Sequence, residues 1–223
     1  MDNGSAQLWP PCFEGAIFDF DGTIADTAWI WEEVDRSFLG ARGIPYSTEY
    51  ARILSVLGFG AGAIYTIETY GLDERPEDIR AEWTRLSHAL YRTSVRLRRG
   101  VEDYIQALRA RGIPTALATA NEPELIDHME HVDLDALFDV RVHGCEVNAP
   151  KDQPDIYLEA ARRMGVPPKR CIVFEDIVPG ILAAREAGFL TCAVRSGDKT
   201  QLLDDVRDAA ELYLVHWTDI NLG

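Results

Sequence analysis

Basic residues are what this chain has least of. Lys and Arg number 22 against 37 Asp and Glu, a formal net charge of -15. A field of that sign repels nucleic acid and anionic membrane surfaces, so neither is expected as a partner. It repels a phosphorylated metabolite as well, unless the site builds a positive potential of its own. Long apolar runs are missing too: no stretch approaches the roughly 20 residues of a membrane-spanning helix. The first ten residues carry Asp2, no basic cluster and no apolar core, so they do not read as a secretion signal and a cytoplasmic protein is expected. Cysteines are few and scattered, at Cys12, Cys145, Cys171 and Cys192, with none of the close pairing that a zinc site needs. Cys171 and Cys192 fall in apolar runs and read as small core residues. His128 and His131 could share a helix face, but no other ligand spacing lies nearby and solvated side chains are expected. Internal repeats and low-complexity tracts are absent. A monomer is the default expectation.

What the chain does have is an alternation of short apolar runs with helical patterns. Strands are expected at 15–20, 114–119, 139–143, 170–174, 190–194 and 212–215. Helices are expected at 101–111, 123–130, 154–164 and 179–187, three of them opening near a Pro, which a first turn tolerates. Near-continuous apolar strands separated by helices imply a parallel sheet covered on both faces. The pattern breaks between about 27 and 94. That stretch reads as helical throughout, at 28–39, 49–57, 61–70 and 76–92, with no strand signal. The fold class expected is therefore α/β: a Rossmann-like parallel-sheet core (1–26 and 95–223) with an inserted α-helical cap (27–94). Leu97-Arg98-Arg99-Gly100 is the expected hinge, its arginines a solvated linker face rather than a phosphate patch.

Ligands of open parallel sheets bind beyond the carboxyl ends of the strands. The first strand ends in Asp19-Phe20-Asp21-Gly22-Thr23, the second in Thr119-Ala120-Asn121, and the fourth in Glu175-Asp176; Lys151 precedes the helix at 154. Asp19, Asp21, Glu175 and Asp176 together would repel one another and raise their own pKa values. A hard divalent cation relieves this, and carboxylates plus water suit magnesium. Lys151 and the Thr119 hydroxyl supply donors for phosphate oxygens, with Ala120 and Asn121 beside them. Magnesium and lysine together make the positive potential that the net charge denies, which is what phosphoryl transfer requires. One aspartate could act as nucleophile and the other, two residues on and on the same side of the extended backbone, as general acid and base.

These motifs resemble those of the haloacid dehalogenase-like hydrolases. DFDGTIADT is similar to the family's first motif, ATAN to its second, APKDQPDIYLEAARRMGV to its third and IVFEDIVPGILAAREAG to its fourth. The insertion resembles the C1-type cap of the subgroup holding β-phosphoglucomutase and phosphoglycolate-type phosphatases. The resemblance implies Asp19 as nucleophile and metal ligand, Asp21 as general acid/base whose backbone carbonyl also binds magnesium, Thr119 and Lys151 as phosphoryl holders, and Asp176 with Glu175 on the metal. Three departures stand out. Asp152 follows the lysine where the family often has Pro, and Ile177 stands where Ser is frequent. Trp31 lies near the place of a histidine of β-phosphoglucomutases, and an indole cannot shuttle a proton.

A magnesium-dependent phosphatase of a small phosphorylated metabolite, working through an aspartyl-phosphate, is the function these features imply. The alternatives are a phosphomutase, against which Trp31 argues, and a non-catalytic phosphate sensor. In the cap, Trp29, Trp31, Phe59 and Tyr65 are the aromatic candidates to face the site, although aromatics at helical spacing usually pack a core. Gly58-Phe59-Gly60-Ala61-Gly62 reads either as a close approach to ligand or as a flexible joint between two helices. It is not a dinucleotide fingerprint, because no strand precedes it.

Overall fold

Six parallel strands run in the order β3-β2-β1-β4-β5-β6 in a computed structural model that describes residues 8–147, 149, 151–198 and 201–222. Residues 1–7, Pro150 of the third motif, and the side chain of Phe59 lie outside the described residues. The strands are β1 (Gly15–Phe18), β2 (Thr115–Thr119), β3 (Val140–His143), β4 (Cys171–Glu175), β5 (Leu190–Val194) and β6 (Leu212–Leu214). All six expected strands are present. Strand order reverses at β1, which pairs with β2 on one side and β4 on the other. That is where a parallel sheet opens a crevice. Every residue of β1, β2 and β4 is buried, as near-continuous apolar sequence with helices on both faces demands.

The core helices are α4 (Val101–Ala110), α5 (Pro123–Ile126), α6 (Leu134–Leu137), α7 (Gly144–Val147), α8 (Asp155–Met164), α9 (Val178–Glu186) and α10 (Leu203–Ala209), following α1 (Ala28–Ala41), α2 (Thr48–Tyr70) and α3 (Pro76–Ser94), which are inserted between β1 and β2. The helix expected at 123–130 stops at Ile126. Asp133 then caps a separate turn, its carboxylate accepting from Ala136 N at 3.0 Å, and such local bonding competes with helix continuation. His128 and His131 are therefore on no common helix; both are exposed, and they line different clefts. Cys171 and Cys192 are buried as expected.

Beneath the carboxyl edge of the sheet, one face carries a cluster of stacked and tilted rings. Phe18 stacks on Phe174 at 4.8 Å, and Phe174 meets Trp217 at 5.1 Å. Burial of each such ring contributes roughly 1.5–3 kcal/mol. Trp217 also reaches upward: its Nε1 donates to Thr23 O at 3.1 Å. The core thereby fixes the loop that carries the first motif. The opposite face packs Ile17, Val173, Ala116 and Ala118 against Ile156, Tyr157 and Ala160 of α8.

The inserted helices pack on one another within the same apolar cluster as one face of the sheet. Phe38 meets Trp83 edge-on at 5.5 Å. Arg42, at the end of α1, donates to Glu74 at 2.7 Å and to Glu82 at 2.6 Å. The two helices expected at 49–57 and 61–70 are one, α2, running through all the glycines. Each interior glycine costs about 1 kcal/mol in helix propensity. Packing offsets this: a Cβ at Gly62 would lie 3.0 Å from Leu54 of the same helix and 3.8 Å from Trp83 of α3. The segment is neither joint nor loop. Asp35 is 7% exposed in this interior. Burial pushes its carboxyl up to about 7, and its charge is felt by Tyr50 and Tyr70.

Two linkers join insertion and sheet, and they are bound to each other. Ala25 bridges Leu97 in antiparallel fashion, and Asp26 N donates to Arg96 O at 3.4 Å. Arg98 corrects the expectation of a solvated face. Its guanidinium donates to Gly22 O at 2.8 Å and to Arg195 O at 2.6 Å, and its backbone N donates to Ile24 O at 2.8 Å. Carbonyls that would otherwise be left without partners explain its burial. Arg99 is exposed as expected.

Candidate active site

The site begins where β1 runs out. Asp19 N still bonds to Phe174 O at 3.0 Å, so Asp19 stays in register with the end of β4. The chain then turns sharply. Gly22 has φ +73, and its N donates to Ala25 O at 3.0 Å and to Thr27 Oγ1 at 3.2 Å. A Cβ here would meet Asp176 Oδ2 at 2.0 Å. Glycine is thus required twice, for the left-handed backbone and for the approach of Asp176.

Four of the expected residues form one contact network. Lys151 Nζ donates to Asp19 Oδ1 and, at 2.7 Å, to Glu175 Oε1. Thr23 Oγ1 donates to Asp19 Oδ2 at 3.0 Å. Glu175 is saturated: Oε1 also accepts from Tyr157 OH at 3.0 Å, and Oε2 accepts from Asp176 N at 2.6 Å and Ile177 N at 2.9 Å. Asp19, Glu175 and Asp176, all buried, each offer an oxygen within 4.8 Å of the others. Asp152 is exposed, and the ion pairs of Lys151 go to Asp19 and Glu175.

The electrostatics follow from burial. Burial pushes the Asp19 carboxyl up to about 7; the Lys151 ammonium opposes this, while Glu175 and Asp21 add to it. Asp176 is held well above the carboxylate range by burial first, then by Glu175 and Asp19, against a hydrogen bond from Ser196. Three buried carboxylates facing one ammonium leave about two negative charges unbalanced in a site of low dielectric. A hard divalent cation has the charge and the oxygen preference to meet them.

Asp21 stands apart from that network and is gripped on both oxygens. Oδ2 accepts from Asn121 Nδ2 at 2.6 Å, and Oδ1 accepts from the hydroxyl of Tyr91. Burial, then the Asp21 charge, push the Tyr91 hydroxyl well above its ordinary value, so it remains a protonated donor. Thr119 is buried, its Oγ1 accepting from Asn121 N at 3.1 Å. Ala120 is exposed at the rim. The Asn121 carbonyl is held by His143 Nδ1 at 2.8 Å.

Four residues escape the sequence reading: Tyr91, Tyr157, His143 and Ser196. Ser196 had a signal. It follows the end of β5, on the same edge as the other strand ends, and its hydroxyl bonds to Asp176 from a different element than Ile177. Tyr91 completes the buried stripe Ile79, Trp83, Ser87, Tyr91, whose spacing of four reads as packing alone. Of the expected cap aromatics, Trp31 and Tyr65 pack against the core cluster, and Tyr65 stacks on Tyr50 at 6.3 Å. Trp29 is 40% exposed, its Nε1 donating to Asp26 O at 2.9 Å.

Known proteins resemble this chain over most of its length. The family model described as haloacid dehalogenase-like hydrolase matches residues 13–188. The fructose-1-phosphate phosphatase YqaB of Escherichia coli is 34% identical over 184 residues, 82% of this chain and 97% of that protein. The phosphorylated carbohydrates phosphatase of Thermotoga maritima is 28% identical over 78% of this chain and 82% of its own. Among solved structures, CbbY of Rhodobacter sphaeroides in complex with phosphate superposes with a TM-score of 0.74 at 26% identity, covering 95% of this chain and 96% of that one. β-Phosphoglucomutase of Clostridium difficile shares the fold, with a TM-score of 0.72 at 22% identity over 94% of this chain and 93% of its own.

Proposed function

The chain belongs to the haloacid dehalogenase-like hydrolases, and from that premise we propose that it is a magnesium-dependent phosphatase of a small phosphorylated sugar or related metabolite. The observation that carries this reading is the convergence of Lys151 on Asp19 and Glu175, beside Asp176. Residues from three separate segments build a meeting point of acid and ammonium, in a chain whose net charge would otherwise repel the substrate.

Asp19, Asp176 and the backbone carbonyl of Asp21 would hold the ion, with Glu175 acting on it through water because both its oxygens are occupied. When bound, magnesium supplies charge neutralisation for the phosphoryl oxygens. The chain's own residues carry the steps. An Asp19 oxygen attacks phosphorus, the bond from phosphorus to the ester oxygen breaks, and Asp21 gives its proton to the departing alkoxide. Water then attacks the aspartyl-phosphate and passes a proton to Asp21. Inorganic phosphate leaves, and Asp19 is restored as a carboxylate. Lys151 and the Thr119 hydroxyl orient the phosphoryl group.

The test is phosphate release from a panel of sugar, glycolate, nucleotide and aryl phosphates, with and without magnesium. Turnover that survives Asp19→Asn or chelation would overturn the reading. Turnover that requires a sugar bisphosphate would indicate a mutase instead, against the presence of Trp31.

A further inference from the structure

The phosphatase reading, on which this inference rests, asks one side chain to alternate. Asp21 must carry a proton when the ester bond breaks and lack it when water attacks. Its two neighbours hold it through that change. Asn121 Nδ2, 2.6 Å from Oδ2, can only donate. Tyr91 OH, on Oδ1, can donate to the ionised carboxylate and equally to the carbonyl oxygen of the protonated acid, whose own proton is then left for the departing oxygen. A bond is kept in both halves of the cycle without any movement of heavy atoms.

The ring is built to hold the hydroxyl still. Tyr91 is fully buried. It stacks on Phe20, the residue between the two aspartates, with ring centroids 6.4 Å apart and planes 26° from parallel. It comes from α3, so the contact joins the inserted helices to the edge of the sheet.

We propose that Tyr91 is a positioning residue for Asp21, a hydroxyl lent by the cap that keeps the acid aimed at the leaving oxygen in either protonation state. Substitution of Tyr91 by Phe removes the hydroxyl and keeps the ring. kcat/KM covers the steps through cleavage of the ester bond, and there the proton matters only when the leaving group is a strong base. An aryl oxide such as 4-nitrophenolate leaves without one; an alkoxide does not.

The experiment compares 4-nitrophenyl phosphate with the alkyl phosphate that the wild type cleaves fastest in the panel. General acid catalysis contributes 10²–10⁴-fold, so loss of aim in Tyr91→Phe is expected to lower kcat/KM for the alkyl ester by about tenfold or more, and for the aryl ester by less than about threefold. In an Asp21→Asn background the same change is expected to have no further effect on either ester, because the two residues act as one unit. Acid-quenched Tyr91→Phe protein turning over the aryl ester is also expected to carry more covalent phosphate by mass than the wild type, since water attack needs the same carboxylate. Equal losses for the two esters, or an undiminished effect in the Asp21→Asn background, would assign Tyr91 to packing alone and overturn the inference. A wild type that cleaves neither ester would overturn the phosphatase reading, and this inference with it.

Discussion

Replacing Asp35 with Asn removes a charge that the interior of the inserted helices solvates poorly. Asp35 sits among Val34, Phe38 and Leu39 on the buried side of α1, and burial alone lifts its carboxyl from 3.8 to about 7. The sign follows from proton counting. Between those values the folded state binds a proton that the unfolded chain has released, so stability falls as pH rises through the window and the loss is complete above it. At about 1.4 kcal/mol per tenfold change, the displacement corresponds to about 4 kcal/mol as an upper bound. A carboxylate that retains some access to water recovers part of this, and about 2–3 kcal/mol is the expected gain for Asp35→Asn at pH 8. For a chain of this size each kcal/mol moves Tm by about 2–4 °C, so a rise of about 5–10 °C is expected at pH 8 and almost none at pH 4. Thermal and urea unfolding of both proteins across that range, followed by circular dichroism, measures it. A gain that is the same at both ends of the range, or a loss at pH 8, would refute the electrostatic account of this side chain.

Three further outcomes are expected. Gly22→Ala places a methyl group against Asp176 Oδ2 and strains a left-handed residue, so magnesium binding by calorimetry and phosphate release should both fall by at least about tenfold while the fold persists, the strain costing about 1–2 kcal/mol; unchanged metal binding would contradict the role given to Asp176. Tyr157→Phe removes one donor from Glu175 Oε1 but leaves Lys151 in place, so stability should drop by about 1 kcal/mol in urea titration, with a severalfold loss of kcat. Phe174→Ala removes the ring between Phe18 and Trp217 and should destabilise by about 3–5 kcal/mol in the same assay.

The sheet was legible because parallel strands, buried on both faces, have to be written as apolar runs, and the runs at β1, β2 and β4 are unbroken. The acids and the lysine were legible because their place is tied to the strand ends. What escaped depends on partners distant in the chain. No local pattern says that Tyr91, 70 residues away, touches Asp21, or that Arg98 closes on carbonyls of Gly22 and Arg195. The glycines of α2 misled for the opposite reason: their local preference is real, but packing on α3 outweighs it.

The paired linkers carry a mechanical consequence. A single tether would let the inserted helices swing and rotate freely about one bond. Here two crossings lie side by side, stitched at Ala25–Leu97 and Asp26–Arg96 and riveted to the sheet by Arg98. A ribbon of two strands bends easily across its width and resists torsion. The helical lobe is therefore held against rotation about either crossing alone, and Tyr91 of α3 meets Asp21 in a fixed register.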